Sequence, residues 1–260
     1  MTTAHSAPWI GGDVDYNSAG HGYSLQRRAD PRIASMVLHA LGDARTVVNV
    51  GAGAGSYEPT DRHVIPIEPS QVMRSQRPAH LAPAVHGAAE SLPLDDRSVD
   101  AAMATLTIHQ WADWRRGAAE LRRVARGPVV VLTFDGDAMD RFWLASYLPE
   151  MIREERRRMP PIGEIARALG GAAEVVPVPL AIDCTDGFSE AFYARPEAFL
   201  DERVRRGQSF WRFLPTGVEE RFVRQLTDDL RGGEWDRRHG HWRTAPFFES
   251  AVRLIVARRV

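Results

Sequence analysis

Apolar positions along the chain fall into short β-branched runs separated by longer stretches with helical spacing. Thr46 to Val50 (TVVNV), His63 to Ile67 (HVIPI), Val99 to Thr105 and Val129 to Phe134 (VVVLTF) have the composition of buried strands. Before them, ADPRIASMVLHALGD puts Ile33, Met36, Val37 and Leu41 on one helical face. Asp30 is its N-cap, Pro31 its first helical residue and Gly42 its stop. A helix is expected from Ser70 to about Gln76, and an amphipathic one over 113–125 with Ala118, Leu121 and Val124 inward, broken by Gly127-Pro128. Residues 137–158 and 162–169 read as helices, the first rich in aromatics. Ala84 to His86 is a candidate short strand, and Ala173 to Val178 and Ala251 to Val256 the last two. Strands alternating with helices predict an α/β fold with a doubly wound, mostly parallel sheet of about seven strands. Residues 1–44 read as an N-terminal helical lead or lid, and 45–260 as one domain. The helical stretch at about 186–232 exceeds what a connection requires and reads as a cap or insertion for substrate recognition.

The chemistry starts where the first run ends. Gly51, Gly53 and Gly55 follow it at alternate positions, and the second run ends in one acid, Glu68. In an open α/β sheet ligands bind beyond the carboxyl ends of the strands, where a carboxylate can grip a ribose. A dinucleotide fingerprint needs a third glycine opening a true helix for a pyrophosphate. Here Ser56 occupies that place, and the residues from Ser56 to Arg62, with Pro59 among them, leave room for one or two helical turns. A nicotinamide oxidoreductase is therefore disfavoured. A ribose-bearing ligand without phosphates fits better, and S-adenosylmethionine is one.

Composition narrows the function classes further. At 260 residues, 44% apolar and 26% charged, with net charge −1, the chain can bury a full core and carries no field suited to nucleic acid. All 33 basic residues are arginine. Without lysine, Schiff-base chemistry and a Walker-type phosphate loop are excluded. A lone cysteine, Cys184, builds neither an internal disulfide nor a multi-cysteine metal site. His239-Gly240-His241 lacks further ligands at suitable spacing, so no metal is expected. The start, MTTAHSAPWIGG, has no signal-peptide pattern, and apolar stretches such as Pro128 to Leu132 fall far short of a membrane span. A cytoplasmic protein with a small-molecule partner, and neither nucleic acid nor membrane, is expected; self-association is left open.

With these pieces placed, the chain resembles the class I S-adenosylmethionine-dependent methyltransferases, in particular the small-molecule branch often called type 11. The resemblance rests on VVNVGAGAG, on Glu68 with Pro69-Ser70, on GAAESLPLDDRSVDAAMATLTIHQW (87–111) and on ELRRVARGPVVVLTFD (120–135). It implies a Rossmann-like fold, S-adenosylmethionine as cofactor, and transfer of its methyl group to a small, aromatic or apolar acceptor. The lead GHGYSLQRRADPR and the aromatic C-terminal insertion look more like methyltransferases of actinomycete natural-product pathways, some of which methylate carbon. Two departures stand out. The acid usual before the first glycine is Asn49, and the acid usual before the Ala-Glu pair is Ala88. These departures are what a non-catalytic S-adenosylmethionine-binding partner or regulator would show, which is the second hypothesis.

The resemblance assigns the cofactor to Asn49, Gly51, Ala52, Gly53, Gly55, Glu68, Pro69, Met73, Ala89, Glu90 and Thr105. The glycines line its methionine end, and Glu68 accepts from both ribose hydroxyls. Met73 covers the adenine or packs the core, and Ala89 or Glu90 replaces the missing acid at the adenine. His109, just past a strand end, is a candidate base with a pKa near neutrality, or a pocket wall. Tyr23, with Tyr16 and Arg28, sits in the lead and is placed to orient substrate. Glu150 follows the aromatic run after the fifth strand and is the candidate base for a carbon acceptor. Glu154 and Glu155 are expected to pair with Arg156, Arg157 and Arg158 at the helix surface.

Overall fold

The six strands of the sheet lie in the order β2-β1-β3-β4-β6-β5. The computed structural model describes residues 12–20, 22, 26–170 and 172–259. β1 (Thr46–Val50) pairs in parallel with β2 (His63–Ile67) on one side and with β3 (Ala101–Thr105) on the other. β4 (Val129–Phe134) continues the parallel order, and β5 (Ala172–Ala181) and β6 (Phe247–Arg258) close it as an antiparallel pair. The chain runs outward from β1 to β2 and then back across to β3, so the sheet has its switch point beside β1, where ligands enter such folds.

Strands buried on both faces explain the unbroken apolar runs. Alternate residues feed two cores. Val47, Ala101, Met103, Val130 and Leu132 face α2 (Pro31–Leu41) and the aromatic C-terminal elements. Val48, Val50, Ala102, Ala104, Val129 and Val131 face α4 (Trp114–Val124) and α7 (Ile162–Ala168). α2 is capped as its sequence dictates: the Asp30 side chain accepts from Arg32 N–H, Pro31 opens the helix, and Gly42 ends it at φ +56°.

Three expectations about elements change. The sheet has six strands rather than seven, because residues 84–86 supply only an isolated parallel bridge, Val85 to Ile67. Pro83, just before that segment, and Pro66, within β2, lack the N–H groups a longer ladder needs. The link between Gly55 and β2 contains turns and bends but no helical turn. The insertion is helical, as expected, but it is mostly short 3-10 segments, Ser189–Phe192, Pro196–Leu200 and Ser209–Phe213, with α8 (Glu202–Arg206) and the longer α9 (Val218–Arg231). Its aromatics pack one another and the aromatic run before it: Phe199 meets Phe192, Phe222 and Trp143 edge-on at 5.5–6.0 Å. No helix among the described residues is long and apolar enough to cross a membrane.

Candidate active site

Two adjoining chambers open at the carboxyl ends of the parallel strands, sharing Tyr16, Arg27 and Leu106. The first is walled by Gly51 to Ala54 after β1, Glu68 and Pro69 after β2, Ala88 to Glu90, and Thr105 to Thr107 after β3, with Met73 of α3 (Gln71–Ser75) beside them. The turn after β1 is left-handed at Gly51 (φ +70°) and Gly53 (φ +52°). A methyl group on Gly51 would also collide with the Thr107 side chain. The loop therefore presents bare backbone to the chamber.

Glu68 locks that loop from within. One carboxylate oxygen accepts from Gly53 N–H at 2.9 Å and the other from Ser70 N–H at 2.8 Å. Burial raises its pKa, and the two backbone donors oppose the rise. Each oxygen keeps acceptor capacity for a ligand hydroxyl. Residues 12–20 lie over this end: Asn17 accepts from Gln71 N–H at 2.9 Å, and Gln76 donates to Gly20 C=O at 2.8 Å.

Asn49 does not line the chamber. It is fully buried and donates to Glu58 at 3.0 Å, while Glu58 forms a buried ion pair with Arg77 at 2.7 Å. Its Oδ1 has no hydrogen-bond partner. The amide thus has a local reason: a carboxylate at 49 would face Glu58. Gly55 also lies off the chamber, against Leu81 and Arg77. Ala52, Gly53, Glu68, Pro69, Met73, Ala89, Glu90 and Thr105 join Gly51 in its wall, although Glu90 also accepts from Asp113 N–H at 2.9 Å.

The second chamber is greasy. Phe134, Phe142, Phe188 and Phe210 wall it, with Met139, Met151 and Met159, and its ionisable groups are Tyr16, Arg27, His109, Glu155 and Glu190. His109 is partly buried, and desolvation, helped by the Arg158 charge, pushes its pKa down to about 3 rather than near neutrality. With the Gln110 amide turned so that its oxygen faces inward, that oxygen accepts from His109 Nε2 at 2.9 Å and from Arg158 at 3.0 Å, and its nitrogen donates to Asp13 at 3.0 Å. This arrangement puts the proton on Nε2. Nδ1 is left as an acceptor, buried and without a partner.

Glu155 is not at the surface. It is buried and ion-paired with Arg158, which also holds Asp13 at 2.7 Å. Glu150 is not brought to either chamber; it forms a two-pronged pair with Arg221 at 2.9 and 3.1 Å, because its side of the helix Pro149–Arg158 faces α9. Tyr23 lies outside the described residues.

Some residues of the site escaped the sequence reading. Tyr57 lines the first chamber at φ +61°, and its hydroxyl donates to Asp186 at 2.7 Å. Arg27 pairs with the same Asp186 at 2.6 Å, so one carboxylate ties the lead, the glycine loop and the insertion together. Leu106, between the chambers, sits at φ +55°, the kind of backbone strain that gathers at functional sites. Glu190 had a signal: it is the one acid in the aromatic run FSEAF.

A family model for the methyltransferase domain matches residues 48–131. A protein of known structure from Anabaena variabilis, described as a methyltransferase from an antibiotic biosynthesis pathway, is 31% identical to this chain, covers 89% of it and 98% of its own length, and superposes with a TM-score of 0.82. The chain belongs to the class I S-adenosylmethionine-dependent methyltransferases. A SAM-dependent methyltransferase from Thermotoga maritima shares the fold at 16% identity and a TM-score of 0.53, over 94% of this methyltransferase and 96% of its own chain. A geranyl diphosphate methyltransferase in complex with GPP and sinefungin does so at 18% and 0.50, over 88% and 77%. No curated protein sequence matches this methyltransferase. It is an enzyme, and S-adenosylmethionine is its cofactor.

Proposed function

We propose that this methyltransferase binds S-adenosylmethionine in the first chamber and methylates a small, apolar or aromatic acceptor of natural-product type in the second. The observation that carries this reading is the contiguity of the two chambers through Tyr16, Arg27 and Leu106, one walled by backbone and a buried acid, the other by phenylalanine and methionine. The relative from Anabaena variabilis, described by its antibiotic pathway, supports the acceptor class.

The first chamber fits the cofactor. Its left-handed glycines leave the space that a side chain would fill, and Glu68 offers free acceptor sites for two ribose hydroxyls. When bound, S-adenosylmethionine supplies a methyl group on a positively charged sulfur. Gly51 to Gly53 hold its amino-acid end, Met73 and Pro69 cover the adenine, and backbone at Ala89 with Glu90 takes the place of the missing acid. The lead acts as a lid: Tyr16 lies against both chambers, and closing it excludes water. Positioning of this kind supplies about 7–11 kcal/mol in well-oriented reactions. In the second chamber His109 Nδ1 accepts one hydrogen bond from the acceptor and orients it. The alternative of a non-catalytic binding partner drew on Asn49 and Ala88, and the buried Glu58–Arg77 pair accounts for the amide at 49.

Calorimetry with S-adenosylmethionine, followed by transfer of a labelled methyl group to a panel of phenols, naphthols and aromatic amines, tests the reading. Binding together with labelled product is expected. Tight cofactor binding with no labelled product from any apolar acceptor would overturn the acceptor class. His109→Ala should lower turnover about tenfold, the cost of one hydrogen bond, and leave cofactor affinity unchanged. Neither protein should show a pH step near 6.5, because the imidazole stays neutral.

A further inference from the structure

Glu190 stands in the wall of the second chamber, held there by one backbone group. It lies in the turn Ser189–Phe192 and is 4% exposed. Both carboxylate oxygens accept from a single donor, Ala251 N–H, at 3.1 and 2.9 Å. That residue falls in the register shift between the Pro177–Arg253 and Pro179–Glu249 pairs, where Val178 C=O is already taken by Ser250 Oγ. One N–H leaves most of the acceptor sites of a carboxylate unused.

The cations nearby are committed elsewhere. Arg253 pairs with Asp135 at 3.4 Å and Arg141 with Glu249 at 2.6 Å. Around the chamber Arg27 holds Asp186, and Glu155 is tied to Arg158 and through it to Asp13. Among the described residues Glu190 has no ion pair. Burial pushes its carboxyl up to about 8; the Ala251 N–H, Arg253 and Arg141 oppose the rise and Asp135 adds to it. His109 accepts hydrogen bonds but cannot keep a proton near neutral pH. Burial raises the Glu155 carboxyl as well, but Arg158 holds its charge, so Glu190 is the carboxylate of this chamber without a cation against it and open to take a proton.

We infer that Glu190 is the proton acceptor of the reaction and that the acceptor molecule is a neutral aromatic hydroxy compound whose reacting O–H points at this carboxylate, a second donor group on the ring meeting His109 Nδ1. The inference rests on the chamber assignment above. The O–H bond breaks toward a Glu190 oxygen, the freed oxygen pair forms the O–CH3 bond, and the C–S pair returns to sulfur. The products are a methyl ether, a neutral thioether and protonated Glu190, which releases its proton to water.

Glu190→Gln keeps an oxygen for Ala251 N–H and loses the ability to hold the proton. Binding is read by fluorescence in the presence of S-adenosylhomocysteine with two probes, 2-naphthol and 2-methoxynaphthalene. At pH 8.5 the native protein should bind 2-naphthol at least tenfold more tightly than Glu190→Gln, while the ether binds both equally. Equal binding of 2-naphthol to both proteins would overturn the role of Glu190 and leave the chamber standing. Failure of the native protein to bind either probe would overturn the chamber assignment and the inference together. Stability gives an independent readout. A carboxyl raised in the folded state stabilises fully below its unfolded pKa and loses that contribution as pH rises through its folded pKa. The melting temperature of Glu190→Gln relative to the native protein should therefore climb between about pH 4.5 and 8 and then level off. A difference that stays flat across that range would show an ordinary carboxylate and remove the proton acceptor.

Discussion

The first chamber is walled largely by short contiguous segments, 51–54, 68–69, 88–90 and 105–107, three of them at the ends of strands and the first a glycine turn that presents backbone. The second chamber is walled by side chains drawn from places as far apart as His109, Phe142, Glu190 and Phe210. Backbone walls recognise what every substrate pair shares, the cofactor, and they tolerate little change because their shape is the fold itself. Side-chain walls recognise what differs between enzymes of one family, the acceptor. The two chambers should therefore fail differently when altered: the first through geometry and stability together, the second through chemistry with the fold intact.

The strongest way to break this contrast is at Gly51. An alanine there is held at φ +70° and collides with Thr107. The left-handed backbone costs about 1–3 kcal/mol and the overpacking roughly as much again. For a chain of this size that lowers the melting temperature by roughly 5–15 °C. Cofactor binding should fall more than a hundredfold. A Gly51→Ala protein that melts and binds like the native one would show that backbone does not wall the cofactor site.

Glu68→Ala comes next. It strips the acceptors from Gly53 and Ser70 N–H, and in the proposed complex from the ribose as well. An unpartnered buried donor costs about 1–3 kcal/mol. Affinity for S-adenosylmethionine should drop at least tenfold by calorimetry, with a lower melting temperature. Unchanged affinity with lowered stability would mean that Glu68 holds only the loop.

The same contrast decides how much was legible beforehand. The parallel sheet, the capped helix at Pro31–Leu41 and the first chamber follow from contiguous residues, because strand ends and turns write themselves locally as β-branched runs, glycines and one acid. The missing seventh strand and the helix-free link after Gly55 turned on prolines whose lost N–H groups outweighed the apolar pattern. The second chamber was mostly illegible. Glu150 and Glu155 share one helix, yet Glu155 turns into the chamber while Glu150 meets Arg221 of α9, a partner far away in sequence. Likewise His109 was visible as a residue, but its low pKa comes from desolvation and from the charge of Arg158, a residue distant in sequence.

Asn49→Asp sharpens the contrast from behind the glycine loop. The new carboxylate replaces a donor 3.0 Å from Glu58, in a site already balanced by Arg77. Two buried carboxylates cannot both ionise without cost, so one of them should titrate upward. A raised pKa stabilises below the unfolded value and loses that contribution as pH rises. The variant should be destabilised by about 1–3 kcal/mol, more at pH 8 than at pH 5, and cofactor affinity should not improve. Tighter binding with native stability would mean that the family's acid was simply absent rather than displaced.

The smallest effect is expected at Glu150, and it tests the other side of the contrast. Glu150 is in neither chamber, and its pair with Arg221 is partly exposed, the arginine side chain at 42%. Solvent screening leaves such pairs worth roughly 0.2–1 kcal/mol. Glu150→Gln should therefore cost less than about 1 kcal/mol of stability and leave turnover and cofactor affinity within twofold. The pH dependence has a fixed sign. The hydrogen bond from Arg221 holds the Glu150 carboxyl below its ordinary value, so its contribution is present above the unfolded pKa and lost as pH falls through the folded one. Native and variant proteins should differ slightly at pH 7 and converge in acid below about pH 4.5. High salt should shrink the difference at pH 7 as well, since a partly exposed pair is screened. A large loss of turnover in Glu150→Gln with an unchanged melting curve would put this carboxylate in contact with the acceptor, and the division of labour between the chambers would have to be redrawn around α9.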